Sequence, residues 1–234
     1  MAKSWYRVKP DLYEAVCREV EDAYPELRFI DDGNRIILKG WYLLHEGSQV
    51  WDRYLIEVTL PTDSPRGFPV IREVGGRIPC IPDRHVYDNG DACVALEDSF
   101  WFEYPNGLSL LEFLAGPLRS YFASQSLIEM GETEPWPAGE WGHGADGIFQ
   151  FYSNALGIKN PLVILDFLKL LERDEVKGHW PCPCKSGEKL RKCHGESLYK
   201  LRSRIPKDVA ARSRASFQKA VEKVASEYKY KVKT

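Results

Sequence analysis

The stretch "RIILKGWYLLHEGSQVWDRYLIEVTL", residues 35–60, decides the fold of the first half of the chain. It holds two runs rich in Ile, Val, Leu, Tyr and Trp, which are separated by the turn sequence "HEGSQ". These residue types favour β-strands, and a short glycine-containing connection favours antiparallel pairing. The run "RFIDD" precedes the stretch, and "PVIREV", residues 69–74, follows it. We therefore expect an antiparallel meander of three strands, extended by a fourth strand at residues 69–74.

Helical patterns flank this meander in the sequence. Upstream, Asp11 and Glu14 have the spacing of a capping box, and apolar residues then recur at every fourth position. Downstream, "LSLLEFLAGPLRSYFASQS" returns to helical spacing, with Pro117 as an expected kink. The segment "NPLVILDFLKLLER" opens with Asn160 as an N-cap, and a basic helix is expected at about residues 207–228. The fold class that this order predicts is α+β.

The charge and hydropathy patterns exclude several classes of protein. Lys and Arg number 32 against 34 Asp and Glu, so the molecule is not a polycation built to bind nucleic acid. Residues 200–233 hold eleven Lys or Arg against three acids, which we interpret as a solvated helix face, with nucleic acid or an acidic partner as the alternative. No stretch approaches the roughly 20 apolar residues that span a bilayer, and no apolar signal region is seen. We expect a cytoplasmic protein without a membrane partner.

The segment "RHVYDNGDACVALEDSFW", residues 84–101, belongs to a longer stretch, residues 78–105, without any sustained apolar period. Irregular segments of this length in a compact domain are usually functional. Cys93 comes three residues after the glycine of an Asn-Gly turn and eight residues before Trp101. Either the thiol is held on an exposed loop for chemistry, with Trp101 anchoring that loop, or Cys93 is a small core residue.

Two of the other cysteines are scattered along the chain. Cys80 is expected to be a packed loop cysteine, with a second active thiol or a regulatory disulfide to Cys93 as the alternatives. Cys17 lies beside the apolar stripe of the first helix and is expected in the core. In a reducing compartment this distribution favours a metal site plus free thiols over a disulfide framework.

The remaining three cysteines lie in "CPCKSGEKLRKCHG", residues 182–195, where the predicted metal ligands are Cys182, Cys184, Cys193 and His194. Three sulfurs and one nitrogen suit a four-coordinate zinc ion, and the Ser-Gly pair between them supplies the turn that returns the chain to the ion. Because no open coordination position is implied, we interpret the zinc as structural, with a catalytic metal as the alternative. The segment resembles the SEC-C zinc motif, which occurs at the C-terminus of the bacterial secretion ATPase and on many bacterial proteins.

A second resemblance concerns the first half of the chain. The segment "YLIEVTLPTDSPRGFPV", residues 54–70, followed by Gly90, Cys93 and Trp101, resembles the ubiquitin-conjugating enzyme family. In that family a glycine lies three residues before the acceptor cysteine and a tryptophan eight residues after it. The resemblance covers about residues 8–128. It implies that Cys93 accepts the C-terminal carboxyl of a ubiquitin-like modifier, or of a protein with a conjugatable C-terminus, as a thioester and yields it to a lysine of a target protein.

The chain departs from that family at His85. The family has an asparagine eight residues before the cysteine, where it stabilises the oxyanion of the aminolysis step, and His85 occupies this position. The imidazole either donates a hydrogen bond to the oxyanion, acts as a base for the incoming amine, or only braces the loop. Glu97 and Asp98 are candidates for the acid that desolvates the attacking lysine, with ordinary solvated carboxylates as the alternative.

The two resemblances imply a division into parts. We expect a ubiquitin-conjugating-like domain at residues 1–130, a linker at 131–145, and a helical region at 146–234 that contains the zinc motif. Trp136, Trp141 and His143 of the linker either form a docking surface or serve domain packing.

The resemblances also imply a biological setting. They point to a bacterial conjugation pathway linked to anti-phage defence, with a separate activating enzyme, because the chain shows no glycine-rich nucleotide-binding unit. Two alternatives stay open. The first is a catalytically inactive adaptor of the conjugating fold that is tethered through its zinc module, and the second is a cysteine hydrolase that uses Cys93 and His85.

Overall fold

The computed structural model describes residues 4–131, 142 and 144–231 of the chain. It confirms a mixed α+β protein with one four-stranded antiparallel sheet in the order β1-β2-β3-β4. From the N-terminus the elements are α1 (Trp5–Val8), α2 (Pro10–Ala23), β1 (Leu27–Asp31), β2 (Ile36–Glu46), β3 (Gln49–Thr59), β4 (Val70–Glu73), a 3₁₀ turn (Pro82–Arg84), α3 (Glu97–Glu103), α4 (Leu110–Phe113), a π turn (Leu114–Leu118), α5 (Arg119–Glu129), α6 (Ala145–Leu156), α7 (Pro161–Glu172), a second 3₁₀ turn (Leu190–Lys192), α8 (Gly195–Arg204) and α9 (Lys207–Lys231).

The chain divides into two compact units. The first unit comprises Met1–Ala95 and Asn106–Glu140, and the second comprises Leu96–Pro105 and Trp141–Thr234. The predicted division had placed the whole of residues 1–130 in one domain, so α3 is the part that groups differently. Most of the predicted linker, including Trp136, Trp141 and His143, lies outside the described residues.

The sheet of the first unit is apolar on the face that forms the core. Leu38, Val58 and Ile71 are paired across β2, β3 and β4, and each is at most 1% exposed. Tyr54 continues the same face of β3 and stacks on Phe122 of α5, with ring centroids 4.5 Å apart. Side chains two residues apart in a strand share a face, so the alternate residues of β3 line one side of the sheet.

One glycine is required by the sheet itself. Gly40 of β2 pairs with Leu27 of β1 and has a φ of +147°. A Cβ atom at this position would lie only 2.0 Å from the carbonyl oxygen of Glu26. The close approach of the two backbones therefore excludes any larger residue.

The helix boundaries confirm some sequence predictions and correct one. Asn160 caps α7 as predicted, because its Oδ1 accepts hydrogen bonds from the backbone N–H groups of Leu162 and Val163 at 3.0 and 3.4 Å. Pro117 lies in the π turn between α4 and α5, which accommodates its missing N–H. The predicted capping box at Asp11 is wrong, since α2 begins at Pro10 and no side chain caps it.

The second unit is helical and has a core of its own. Its apolar centre is formed by α6, α7, α8 and α9, with Phe167, Leu168 and Leu198 fully buried. Trp101 and Phe102 of α3 pack against this core. Among the residues that the structure describes, no helix has the length and apolar character needed to cross a membrane.

Candidate functional site

The loop that carries Cys93 is a short hairpin tied to the sheet. We call residues 78–95 the Cys93 loop. Val86 and Ala92 form an isolated antiparallel bridge, and the Gly90 N–H closes the turn by donating to the Tyr87 carbonyl at 2.8 Å. The Ala92 N–H donates to the carbonyl of Ile71 in β4 at 2.8 Å. The residue that precedes Cys93 is therefore fixed to the sheet edge.

His85 and Cys93 meet through their backbones. The N–H of Cys93 donates to the His85 carbonyl at 2.7 Å. His85 follows the first 3₁₀ turn in the left-handed conformation, with φ +50° and ψ +46°, and it is only 5% exposed. Non-glycine residues rarely adopt this conformation, and they do so where the surrounding structure holds them. Cys93 itself is half-buried.

Helix α5 supplies the groups that hold this conformation. Tyr121 donates its hydroxyl hydrogen bond to the carbonyls of Arg84 and His85 at 3.3 Å each. Gln125 donates from Nε2 to the Arg84 carbonyl at 2.6 Å, and its Oε1 accepts from Arg84 Nε at 2.6 Å. Arg84 also forms an ion pair with Glu129 at 2.9 Å. The main chain on the N-terminal side of the hairpin is thus bound to one face of α5.

A second arginine, Arg77, lies immediately before the Cys93 loop and anchors its start. The guanidinium of Arg77 contacts Asp52 of β3 and Glu129 of α5, at 2.6 Å each, and lies 4.3 Å from the centroid of the Tyr54 ring. Burial acts to raise the pKa of Asp52, but hydrogen bonds from Arg77 and Ser126 outweigh it and hold that pKa below its usual value. Arg77 therefore joins the loop to strand and helix through charged hydrogen bonds.

Sequence reasoning missed Tyr87. Its hydroxyl donates a hydrogen bond to Cys93 Sγ at 3.1 Å, and the residue is 44% exposed. The only sequence signal for this contact is the turn Tyr87–Gly90, which reverses the chain so that residues on its two sides become neighbours. A donor at this distance stabilises the thiolate form of Cys93 relative to the thiol.

Other residues singled out in the sequence have different surroundings. Cys80 is exposed, which corrects its prediction as a packed cysteine. Cys17 is half-buried instead of lying fully in the core, and burial raises the pKa of its thiol.

Glu97 and Asp98, the two candidates for the acid that desolvates the attacking lysine, lie on α3 in the second unit. Glu97 pairs with Arg212 at 2.7 Å, and Asp98 is fully buried, where Tyr152 donates to Oδ1 at 2.5 Å and Ser213 to Oδ2. A carboxylate with no exposed surface does not meet an incoming amine, so Asp98 is a structural residue. Trp101 packs against the core of the second unit, and its role as an anchor of the Cys93 loop stays a prediction.

The four predicted metal ligands do converge. We call Cys182, Cys184, Cys193 and His194 the metal cluster; their ligand atoms all lie within 4.8 Å of one another. His194 Nδ1 lies 3.3 Å from Cys182 Sγ and 3.1 Å from Cys193 Sγ, and Cys184 Sγ lies 3.5 Å from Cys193 Sγ. Around a tetrahedral ion with metal–sulfur and metal–nitrogen distances of about 2.3 and 2.1 Å, ligand atoms are about 3.6–3.8 Å apart. The donor set and its spacing therefore fit a bound metal ion.

The local chain path explains this convergence. Pro181 and Lys189 form an isolated bridge, and the N–H of Cys182 donates to the Glu188 carbonyl at 2.9 Å. Gly187 permits the turn between them with a φ of +83°. Leu190 is fully buried in the helical core and fixes the returning segment.

The cysteines of the metal cluster differ in their acidity. Burial raises the pKa of Cys182 to about 11. Burial acts in the same direction at Cys184, but hydrogen bonds with Ser186 and the neighbouring thiols outweigh it and bring that pKa to about 6. Metals bind the thiolate, so Cys184 reaches the ligand form at a lower pH than Cys182.

Comparison with protein-family models, curated proteins and solved structures finds no match to this chain. The chemistry is therefore inferred from the chain's own residues. In the first unit, a positioned thiol with a hydroxyl donor can act as a nucleophile. In the second unit, four soft ligands can bind a metal ion.

Proposed function

We propose that the chain is a ubiquitin-conjugating-type acyl transferase that uses Cys93 as its nucleophile. One observation carries the proposal: Cys93 follows a four-stranded antiparallel meander on a hairpin whose backbone is held by β4 and α5. This element order agrees with the family resemblance of residues 8–128. A thiol that is held by its backbone, half-buried and hydrogen-bonded at sulfur suits a nucleophile better than a core residue.

The proposed reaction has two steps. The Cys93 thiolate attacks the acyl carbon of a modifier that is already linked to an activating enzyme as a thioester, and the activating enzyme's thiol leaves. The amine of a target lysine then attacks the new thioester, the Cys93 sulfur leaves, and the amine loses a proton as the amide forms. Sulfur serves both steps because a thiolate is a good nucleophile and a good leaving group.

We assign His85 to positioning first. Its backbone carbonyl accepts hydrogen bonds from Cys93 and Tyr121, while its side chain is buried. A buried imidazole favours the bracing role over that of a base for an incoming amine, because the base must reach the amine at the loop surface. A hydrogen bond from its ring N–H to the oxyanion is the second proposed role. His85→Asn distinguishes the two, since asparagine tolerates the left-handed conformation and is the family residue.

We further propose that the metal cluster holds a structural zinc ion. The ion would supply no reaction chemistry and would link two ends of the segment 182–194, which fits a donor set without an open position. The SEC-C resemblance supports a bacterial protein. By the ubiquitin-conjugating resemblance, the partners would be a ubiquitin-like modifier or a protein with a conjugatable C-terminus, an activating enzyme and a target lysine, in a pathway of anti-phage defence.

A trapping experiment tests the transferase. Wild type, Cys93→Ser and Cys93→Ala are purified from the cells that produce the protein, with Cys80→Ser as the matched cysteine control. Bands are compared on gels with and without thiol reductant and identified by mass spectrometry. We expect an adduct that the reductant removes for wild type and Cys80→Ser, a resistant oxyester for Cys93→Ser, and none for Cys93→Ala.

The second candidate is an inactive adaptor of the same fold. The observation that favours it is His85, which replaces the family's asparagine and is 5% exposed. If no variant carries an adduct while the activating enzyme is present, the transferase proposal fails and the adaptor is favoured. If the thioester forms and is only hydrolysed, without an amide product, the hydrolase is favoured instead.

A further inference from the structure

The second unit contains a cleft that the proposed transferase chemistry does not use. It has a volume of about 700 Å³ and is lined by residues of α3, α6 and α8. Its apolar wall includes Phe102 and Phe151, whose rings meet edge to face with centroids 5.7 Å apart. Small-molecule sites have this volume range and combine an apolar wall with a few polar groups.

Two cations lie together on one side of this cleft. Lys200 Nζ lies 5.2 Å from the centroid of the Phe102 ring, and Arg204 Cζ lies 5.3 Å from the same centroid. The aromatic ring holds both charges against the wall through cation–π contacts. Within the part of the chain that the structure describes, neither residue takes part in an ion pair. Two like charges around one ring, neither of them in an ion pair, favour the binding of an anion.

Lys200 and Arg204 both have N–H groups that can donate hydrogen bonds to a ligand. Arg204 uses Nη1 to donate to the Phe102 carbonyl at 2.7 Å, which leaves other N–H groups of its guanidinium. The Lys200 ammonium donates no hydrogen bond among the described residues. Two acids, Glu103 of α3 and Glu196 of α8, also line the cleft, and neither forms an ion pair with Lys200 or Arg204 among the described residues. Glu196 lies one helical turn before Lys200 and eight residues, about 12 Å along the helix axis, before Arg204. An anionic group is therefore expected beside the two cations.

We propose that this cleft binds a small organic anion, with its carboxylate or phosphate on Lys200 and Arg204 and its apolar body against Phe102 and Phe151. The ligand class follows from the two donors beside an aromatic wall. Neutral apolar molecules contact only the aromatic wall, and inorganic anions contact only the two cationic donors. The proposal is independent of the transferase chemistry in the first unit.

Ligand titration of the full chain, with metal bound, tests the proposal. The probes are 3-phenylpropionate, phenyl phosphate and the neutral 3-phenylpropanamide, each added to ¹⁵N-labelled protein up to about 10 mM, where millimolar dissociation constants are measurable. We expect at least one of the two anions to shift amide resonances around the cleft. The neutral amide is expected to bind about tenfold more weakly, because it lacks the charge-assisted hydrogen bonds. The two anionic probes separate carboxylate from phosphate ligands.

Variants locate the binding. Lys200→Met and Arg204→Met are each expected to weaken binding of the anion about tenfold, while Lys219→Met, an exposed lysine on α9, leaves it unchanged. Arg204→Met also removes the hydrogen bond to Phe102, so Lys200→Met alone decides the matter if Arg204→Met does not fold. The proposal is overturned if neither anion shifts the cleft resonances, if the neutral amide binds equally well, or if Lys200→Met binds like wild type.

Discussion

The two cysteine sites of this protein are held in place by different interactions. In the first unit, hydrogen bonds from α5 and the ion pairs of Arg77 fix the Cys93 loop, and every partner is a protein group. In the second unit, four ligand atoms converge within 4.8 Å, an arrangement that a bound ion stabilises. The backbone around Cys93 is therefore fixed by protein groups alone, whereas the side chains of the metal cluster direct their ligand atoms at one another.

Metal removal is expected to give the largest effect and to affect only one of the two sites. Structural zinc sites in small peptides contribute about 10–16 kcal/mol of apparent binding free energy at pH 7. We expect chelation, or the substitution Cys193→Ser, to release the metal and to lower the thermal midpoint of the second unit. Metal content by elemental analysis and melting followed by circular dichroism check this.

Cys80→Ser is the matched control, because Cys80 is an exposed cysteine outside the metal cluster. It should retain the metal and the wild-type melting curve. The contrast between the two cysteine sites is wrong if chelation changes the reactivity of Cys93 as strongly as it changes the thermal midpoint of the second unit. It is also wrong if Cys193→Ser retains a full equivalent of metal.

Arg77→Met tests the first unit by removing ion pairs between protein groups, without any change at the metal cluster. The substitution leaves the carboxylates of Asp52 and Glu129 without this partner, and the Asp52 side chain is 12% exposed. The Arg77 side chain is itself 37% exposed, so solvent screens these contacts, and we expect the free energy of unfolding to fall by about 1–2 kcal/mol in urea titrations, with metal content unchanged. Arg35→Met removes an exposed pair with Asp32 and should cost about 0–1 kcal/mol.

The pH dependence of Arg77→Met has a definite sign. Because the pKa of Asp52 is lowered in the folded protein, its contribution to stability is present above the unfolded pKa of about 3.9 and is lost as the pH falls through the folded value. The difference between wild type and Arg77→Met should therefore shrink in acid. A difference that stays constant between neutral pH and pH 3 would show that the arginine acts through packing alone.

The amino-acid sequence predicts the parts of this molecule whose partners are close in the chain. The metal cluster lies within residues 182–194, so spacing alone brings its ligands together. The strands β2 and β3 are joined by a short turn, and their composition predicts both the strands and their antiparallel pairing. In both cases the residues that meet in the fold are close in the chain, so the local pattern predicts their contact.

Contacts across longer separations were not predictable from one sequence. Tyr121 and Gln125 hold residues about 40 positions earlier through their backbone carbonyls, and a carbonyl has no residue type to recognise. Trp101 has an apolar side chain that suits any core, so its packing in the second unit had no sequence signal. Asp98 was unexpected for the same reason, because nothing local distinguishes a buried carboxylate from a solvated one.

Asp98→Asn tests whether the second unit also depends on a buried polar group. Burial raises the pKa of Asp98, although hydrogen bonds from Ser213 and Tyr152 act in the opposite direction. The folded protein therefore binds this proton more tightly, so stability from Asp98 is fully present below about pH 3.9 and is lost as the pH rises through the folded pKa.

Relative to wild type, Asp98→Asn should gain stability as the pH rises, by about 1.4 kcal/mol for each unit by which the pKa is raised. Urea titrations between pH 4.5 and 7.5 measure how this difference grows above the unfolded pKa of about 3.9. Glu97→Gln, which changes an exposed ion pair with Arg212, should show little pH-dependent difference. A difference for Asp98→Asn that does not change with pH would mean that its carboxyl does not titrate in this range.

Tyr87→Phe is expected to give the smallest effect, on the reactivity of Cys93. The substitution removes the hydroxyl that donates to Cys93 Sγ and leaves the ring, which is partly exposed, so the fold should not change. Because the thiolate loses a donor, alkylation of Cys93 by iodoacetamide at neutral pH should slow by about two- to fivefold, as measured by site-resolved mass spectrometry. Tyr199→Phe, whose hydroxyl donates to the Val176 carbonyl in the second unit, should leave the rate unchanged. An unchanged rate in Tyr87→Phe would show that the backbone contacts of the loop alone set the reactivity of the thiol, which would sharpen the contrast with the metal cluster.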